Sequence, residues 1–410
     1  MVLLRARAAV VRVVVVPVVI LLGACTGADG SRTSPEECSA VVASLVEATQ
    51  LYVDGYGETR SAAPAPSPGL TDEGLQAALA EAQRLVRQRQ CDGEAVQADL
   101  EAGLDAVSAS GPVGGAVLRR LLAVLSGTSA EEASTRVVAP ADDLAGALAE
   151  LAPGSTLRLV AGTYRLPDTL VLLQGVELRG AGAGSTVLTS SAPEAAVLVL
   201  TDEQVRLADL RAERTGTAVG SVVIGGPSSS IDLDAVEVAG AVADGAGSGG
   251  AGVLMSPAGE PGPGRGTTLE VTDSRFERNG SAGVALAGAH RASIQSSEFA
   301  GNGQCGVCFL DASDGAVRGS TFRGNPVGVS VVAQARPSIV GSRFEGGEVG
   351  VQVAGTAAPS LDANSVSGAS RAGLVWTDEA AGQALSTVCA NVPFGIVLGP
   401  AAVPFVDGGD

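Results

Sequence analysis

Lysine is absent from this chain of 410 residues, so all 26 basic residues are arginine, and histidine occurs only once. Acidic residues number 44, which gives a formal net charge of −18. Nucleic-acid binding needs a basic surface, so the charge balance argues against a nucleic-acid partner. With two methionines and one histidine, the chain is also poor in the thioether and imidazole ligands of copper sites. We therefore expect no metal and no other cofactor.

Aromatic side chains are equally scarce, at 3% of the sequence, whereas glycine occurs 56 times. This composition argues against a compact enzyme core built from large side chains. It suits a solenoid, whose thin interior is filled by Val, Leu, Ile and Ala.

The chain begins with three arginines, Arg5, Arg7 and Arg12, followed by an apolar run over residues 13–22. That run is too short to span a membrane comfortably. Its charge order and length are typical of a bacterial signal peptide. An ordinary secretory signal and a membrane span are the alternatives.

Leu22-Gly23-Ala24-Cys25 closes this segment and resembles a bacterial lipobox. The resemblance implies a signal peptide over residues 1–24 and diacylglycerol on the thiol of Cys25. Residues 25–33 would then form a tether, and the chain would be extracytoplasmic, anchored to the outer face of the cell membrane by its N-terminal lipid.

Residues 34–127 have the pattern of a small α-helical domain. Ser34-Pro35-Glu36-Glu37 is typical of a helix start, with a cap, a proline and acids in the first turn. The domain contains Cys38 and Cys91. In an oxidising compartment we expect a Cys38–Cys91 disulfide, with two buried free thiols as the alternative.

A phenylalanine recurs every 22 or 23 residues, at Phe276, Phe299, Phe322 and Phe344. Each lies two residues after a serine and precedes an Asn-Gly-like turn and a Gly-Val-x-apolar phrase. Weaker copies follow around Val366 and Cys389. A fixed short period indicates one structural unit stacked on itself. Its period-two alternation predicts one coil of a parallel β-helix per repeat.

The segment before these repeats resembles the opening of a known fold. It contains Pro153-Gly154-Ser155-Thr156-Leu157, then Gly162-Thr163-Tyr164, then Gly175-Val176-Glu177-Leu178. These phrases and a short helix over 140–151 are similar to the start of right-handed parallel β-helix proteins of the pectin-lyase-like superfamily. The resemblance covers residues 137–404 and implies a mainly β fold, a right-handed parallel β-helix preceded by the small α-helical domain. Because that superfamily includes lyases, hydrolases, epimerases, adhesins and proteins without known activity, it implies little about chemistry.

The Gly-Val-x-apolar strands predict which side chains point into the solenoid, for example Val284 and Leu286. The serines before each Phe should stack inside, and Asn279, Asn302 and Asn325 should form a ladder at one turn. A Gly- and Pro-rich insertion over 239–266 is either a specificity loop or a floppy excursion.

The outward column of these strands has no acid ladder, since it consists of Ala285, Cys308, Ser330, Gln352, Val375 and Val397. The Asp-His phrase typical of pectate lyases is absent. So are the paired-Asp and Gly-His-Gly phrases of polygalacturonases. We therefore predict no catalytic residue.

The best polar constellation is a predicted surface cluster of His290, Arg291, Asp311, Asp314 and Arg336. The spacing of the repeats places Arg291, Asp314 and Arg336 in one column. Such a column is either an exposed salt-bridge ladder or a site for an anionic sugar, and the ladder is the simpler interpretation.

Cys305 and Cys308 have CxxC spacing and straddle a predicted strand, with Cys305 inward and Cys308 outward. Cys389 is four coils away, so these residues cannot form one metal cluster. Buried Cys305 and Cys389 with an exposed Cys308 is the favoured arrangement, and a Cys305–Cys308 bridge is the alternative.

Together these features favour a membrane-anchored cell-envelope lipoprotein whose non-catalytic β-helix binds cell-wall glycan or an envelope protein. The alternative is a polysaccharide-active enzyme, a lyase, hydrolase or epimerase, with an unfamiliar active site.

Overall fold

A computed structural model describes residues 35–57, 72–226, 228–255 and 267–407. The predicted signal peptide, the tether and Cys25 lie outside these residues, as does much of the 239–266 insertion. Within the described residues there are two compact units, one helical and one made of strands.

The helical unit consists of five helices in its described part. They are α1 (Pro35–Gly57), α2 (Asp72–Gln88), α3 (Gly93–Leu104), α4 (Gly111–Leu125) and α5 (Leu144–Glu150). Cys38 and Cys91 are joined by a disulfide, with S–S 2.08 Å and Cα–Cα 5.9 Å. It ties α1 to the start of α3, where the Asp92 side chain caps the helix by accepting from the Glu94 and Ala95 N–H groups. None of the described helices is long and apolar enough to cross a membrane.

The strands form a right-handed parallel solenoid of about 11 coils. They are β1 (Thr135–Val138), β2 (Ser155–Leu159), β3 (Gly162–Leu166), β4 (Leu170–Leu172), β5 (Val176–Arg179), β6 (Thr186–Ser190), β7 (Glu194–Val199), β8 (Gln204–Ala208), β9 (Arg211–Arg214), β10 (Gly220–Gly225), β11 (Ser230–Asp234), β12 (Glu237–Ala239), β13 (Val253–Met255), β14 (Thr268–Thr272), β15 (Arg275–Glu277), β16 (Ala282–Leu286), β17 (Arg291–Gln295), β18 (Glu298–Ala300), β19 (Cys305–Phe309), β20 (Asp314–Arg318), β21 (Thr321–Arg323), β22 (Val327–Val331), β23 (Ser338–Val340), β24 (Arg343–Glu345), β25 (Val349–Val353), β26 (Ser360–Asp362), β27 (Ser365–Ser367), β28 (Ala372–Trp376), β29 (Gln383–Leu385), β30 (Val388–Ala390), β31 (Ile396–Leu398) and β32 (Phe405–Asp407).

Three parallel sheets run along the solenoid. Sheet A has the order β1-β2-β5-β8-β11-β14-β17-β20-β23-β26-β29-β32. Sheet B runs from β3 to β30, and sheet C runs from β4 to β31 and holds the Gly-Val-x-apolar strands. The predicted fold class is confirmed.

The phenylalanine column is a stack inside the solenoid. Ring centroids of Phe276, Phe299, Phe322 and Phe344 lie 4.9, 4.9 and 4.7 Å apart, with planes within 10° of parallel. This stack explains the repeated glycine, because a Cβ on Gly306 would overlap the ring of Phe322 in the next coil. The repeat therefore needs both the phenylalanine and the glycine that leaves space for its ring.

Two polar ladders secure the turns of the coils. The Asn302 carboxamide oxygen accepts from the backbone N–H of Asn279 at 3.2 Å and from the Asn279 side-chain amide at 3.0 Å. The Asn325 carboxamide oxygen accepts from the same two groups of Asn302. The serine hydroxyls are buried and accept backbone N–H groups of the preceding coil, as Ser297 does from Ser274 at 3.2 Å. Both ladders satisfy buried polar groups and are structural.

Candidate functional site

A cluster of partly buried charged side chains lies on the outer face of sheet A. Four charged residues follow one another in register on adjacent strands: Glu177, Arg206, Asp232 and Glu270. Each sits between two inward-pointing apolar residues, so the alternation of the strand fixes its outward direction. Because neighbouring parallel strands are about 4.8 Å apart, the row is regularly spaced.

Arg206 is the centre of this row. Its guanidinium lies 3.4 Å from Glu177 and 3.2 Å from Asp232. It also forms a close ion pair with Asp234, two residues along β11. One arginine therefore holds carboxylates of two adjacent coils, one on either side of its own.

Arg179 extends the cluster toward the turn that leads to sheet B. Its guanidinium lies 2.7 Å from Glu177 and 2.8 Å from Asp209. We call these six residues, Glu177, Arg179, Arg206, Asp209, Asp232 and Asp234, the sheet A cluster.

Asp232 is the most buried acid of the cluster, with a side chain 13% exposed. This burial raises the pKa of the Asp232 carboxyl, because the charged form loses solvation. Arg206 opposes that effect, and the charge of Glu270 on the next strand adds to it. Glu270 itself is exposed.

Sheet B carries a different kind of charge pattern on its outer face. Arg and Glu alternate there one for one, in a ladder of pairs: Arg211 with Glu213 and Glu237, Arg275 with Glu277 and Glu298, Arg278 with Glu277, Arg323 with Glu298 and Glu345, and Arg343 with Glu345. This ladder neutralises itself. On sheet A the carboxylates outnumber the arginines, even when Arg158, in register with Arg179, is included.

The predicted column of Arg291, Asp314 and Arg336 continues along sheet A. Arg291 and Asp314 are in register and form an ion pair at 2.9 Å, with side chains 69% and 44% exposed. Arg336 is exposed and precedes β23, and its backbone N–H donates to the Ser313 carbonyl at 3.2 Å. Among the described contacts, its side chain forms no ion pair with Asp314.

Of the other two members of the predicted surface cluster, Asp311 binds a backbone N–H group and His290 is buried. The Asp311 carboxylate accepts from the Gly288 N–H at 2.8 Å, which fixes a turn of the preceding coil. The surface position predicted for His290 is wrong, since its side chain is 1% exposed and Nδ1 is hydrogen-bonded to the buried Thr267 hydroxyl. A buried, hydrogen-bonded imidazole cannot meet a ligand on this face.

The outer face of sheet C is neutral and mostly apolar. The missing Cβ of Gly306 points inward at the Phe322 ring, so Cys305 turns outward and packs with Ala282 and Ala285. The inward position predicted for Cys305 is therefore wrong. Cys308 packs against the same small cluster, and a disulfide joins it to Cys305. Cys389 is a free thiol whose pKa is raised by burial.

The sheet A cluster was not predicted from the sequence, because the clear repeats that assign the outward columns begin only after β5, β8 and β11. The signal was present in the alternation of Val176-Glu177-Leu178-Arg179 and of Ile231-Asp232-Leu233-Asp234. What sequence lacks is the register that brings these two phrases together around Arg206. Within the described ranges, no three His, Cys, Asp or Glu side chains are grouped so that they could hold a metal ion.

Comparison with known proteins agrees on the fold. The family model described as a right-handed β-helix region matches residues 251–399. Nothing among curated protein sequences matches the chain.

Several solved structures are similar to this chain at low identity. The A-module of Azotobacter vinelandii mannuronan C-5 epimerase AlgE6 has a TM-score of 0.39 and 15% identity, covering 62% of this chain and 90% of that one. Pectate lyase Pel9A has a TM-score of 0.39 and 13% identity, covering 69% of this chain and 80% of that one. The catalytic domain of a GH87 α-1,3-glucanase has a TM-score of 0.42 and 11% identity, covering 69% and 70%.

Proposed function

We propose that this chain is an exported lipoprotein, held at the outer face of the cell membrane by a lipid on Cys25, whose sheet A surface binds a glycan without cleaving it. The lipobox-like phrase ending at Cys25 supports the anchor. The sheet A cluster supports the binding surface. The observation that carries the proposal is the position of Arg206 between carboxylates of adjacent coils.

A glycan fits this surface better than a protein partner does. Glycan hydroxyl groups both donate and accept hydrogen bonds, and the cluster offers carboxylate acceptors beside guanidinium donors. The row repeats about every 4.8 Å, so a polymer with regularly spaced hydroxyls can engage several coils at once. The buried core of a protein–protein interface is, in contrast, depleted of charged residues.

Binding without cleavage follows from the ion pairs. A glycosidase needs two carboxyl groups, one of them free to act as base or nucleophile. Here Glu177, Asp232 and Asp234 are all held by Arg206, and Glu177 and Asp209 by Arg179. Arginine hydrogen bonds to Glu177, Asp209 and Asp234 occupy lone pairs of these three carboxylates, which favours fixed acceptors over catalysts.

One observation favours the catalytic alternative. The raised pKa of Asp232 is the property of a general acid, and Glu270 on the next strand could act as its partner. Adjacent strands separate such residues by about 4.8 Å, close to the carboxyl spacing of about 5–5.5 Å in retaining glycosidases. This arrangement would make Asp232 and Glu270 the catalytic pair.

An array of neutral and uronate oligosaccharides, probed with the full-length chain, separates the two functions. We expect retention of at least one glycan class and no new reducing or unsaturated ends. Neither the parent nor the Asp232→Asn variant should release any product. Product release that disappears in Asp232→Asn would establish the enzyme and refute the binding proposal.

The anchor is tested separately by the Cys25→Ser variant, which lacks the thiol that would carry the lipid. We expect the protein to leave the membrane fraction, or to accumulate with its leader uncleaved. A matched Cys389→Ser variant should fractionate as the parent does. Unchanged fractionation and unchanged mass of Cys25→Ser would rule out lipidation.

A further inference from the structure

The disulfide on the outer face of sheet C joins two residues of a single strand. Cys305 and Cys308 both lie on β19, and their Cα atoms are 6.0 Å apart. A straight strand would place residues three positions apart about 10 Å from each other. β19 bends here because two successive residues, Gly306 and Val307, turn toward the core, so the cysteines on either side of them both point outward.

This bend belongs to the repeat rather than to the bond. β16 and β22 pair with β19 on its two sides, and both stay in register with the cysteines: Ala282 and Val327 with Cys305, and Ala285 and Ser330 with Cys308. Neither neighbouring coil has a cysteine at these positions, yet the register is kept. The fold therefore accepts the two sulfur atoms either as a disulfide or as two thiols, and holds them close together in both states.

The disulfide of the helical unit has a different role. Cys38 and Cys91 are 53 positions apart, and their bond ties α1 to the start of α3. Closing so long a loop restricts the unfolded chain far more than closing a loop of three positions does. Cys38–Cys91 therefore stabilises the fold, whereas Cys305–Cys308 adds little stability, and its presence calls for another explanation.

The two sulfur atoms differ in their access to solvent. Cys305 is 1% exposed, whereas Cys308 is partly exposed. Because an incoming thiolate attacks the sulfur atom that it can reach, exchange begins at Cys308, and Cys305 is the leaving group. β16, β19 and β22 carry no charged residue, and apolar side chains such as Leu254 and Val327 surround the bond. Such surroundings suit contact with the surface of a protein.

We propose that Cys305–Cys308 is a thiol–disulfide exchange site that is reduced by the dithiol of another protein. One thiolate of that dithiol attacks Sγ of Cys308 and forms a mixed disulfide, while the bond to Sγ of Cys305 breaks and the Cys305 thiolate takes up a proton. The second thiol of the partner, as its thiolate, then attacks the partner sulfur of the mixed disulfide, and Cys308 leaves and is protonated. Two electrons pass to this chain, and the partner becomes a disulfide. The site lies on sheet C, so the proposal does not depend on glycan binding at sheet A.

Two single variants of the full-length chain test the order of attack. Cys305→Ser leaves Cys308 as the one thiol of the pair, and Cys308→Ser leaves Cys305. Each folded variant is incubated with bis(2-hydroxyethyl) disulfide, an uncharged probe that forms the same kind of mixed disulfide, and the modified peptides are quantified by mass spectrometry. We expect Cys308 to react about tenfold faster than Cys305, or more. Equal rates, or a faster reaction at Cys305, would overturn the proposal.

Titration of the parent chain with dithiothreitol tests whether the bond opens reversibly in the folded state. We expect Cys305–Cys308 to open, and to close again in oxidised dithiothreitol, without a shift in the urea midpoint of the β-helix. The double variant Cys305→Ser/Cys308→Ser should keep that midpoint as well. The matched control, Cys38→Ser/Cys91→Ser, should lower the urea midpoint of the helical unit. A bond that resists the dithiol until the β-helix unfolds, or a β-helix that loses stability when the bond opens, would show a structural disulfide and refute the exchange site.

Discussion

At the scale of single residues, each repeat pairs a buried phenylalanine with a glycine, because a side chain at the glycine would overlap the phenylalanine ring. Phe322 lies between Phe299 and Phe344, and the glycine of the coil before it leaves room for its ring. The phenylalanine spacing alone predicted this stack. The role of Gly306 was not predictable, because the overlap is between residues 16 positions apart in sequence that meet only after coiling.

Removing one ring from the stack should be costly. Phe322 is 2% exposed, so Phe322→Ala should lower the free energy of unfolding by about 3–5 kcal/mol. The control is Ser330→Ala on the outward face of sheet C, which should cost under about 0.5 kcal/mol. Urea melts of both variants measure the difference. Equal losses would mean that the inner and outer faces have been assigned the wrong way round.

The exposed pair of Arg291 and Asp314 should matter little for folding. Both side chains are well solvated, so Asp314→Ala should lower the free energy of unfolding by no more than about 1 kcal/mol, and by less in high salt. Denaturant melts at low and high ionic strength measure this. A large, salt-insensitive loss would show that the pair does more than bridge two coils on the surface.

At the scale of elements, the three sheets have different outer faces. Sheet C is neutral, sheet B carries a balanced ladder, and sheet A carries excess carboxylate around Arg206. The sequence predicted the neutral face of sheet C because its strands repeat clearly. The strands of sheet A that carry the cluster, β5, β8 and β11, precede the clear repeats and share only a three-residue phrase of Val or Ile, a charged residue and Leu. Such a short phrase does not fix the register, which the structure provides.

The buried acid of sheet A should make stability depend on pH. The folded-state pKa of Asp232 is raised above its unfolded value, so the folded chain binds the proton more tightly. Its contribution to stability is therefore greatest at low pH and declines as pH rises from the unfolded pKa through the folded one. Asp232→Asn should abolish that component of the decline in denaturant melts between about pH 3 and 6. Parent and variant curves that run parallel across this window would contradict the assignment.

At the scale of the whole molecule, the sequence predicted a mainly β solenoid that is preceded along the chain by a small helical region, and the structure confirms this fold class. Repeats and composition suffice for such a fold because each coil contacts only its neighbours. They do not suffice for a site, which depends on charges that converge across coils. The anchor on Cys25 stays a prediction, since that residue lies outside the described part of the chain.

The most direct test of the central claim compares one arginine from each charged face. Arg206→Gln removes the centre of the sheet A cluster, and Arg323→Gln removes an arginine of the sheet B ladder that bridges Glu298 and Glu345. Affinities of the parent and both variants are measured by calorimetry against the glycan class retained on the array. If sheet A is the binding surface, Arg206→Gln should weaken binding by about tenfold or more, as expected for loss of a charge-assisted hydrogen bond of about 1.5–3 kcal/mol, and Arg323→Gln should bind as the parent does. Equal affinities of the parent and Arg206→Gln, or an equal loss in Arg323→Gln, would contradict it.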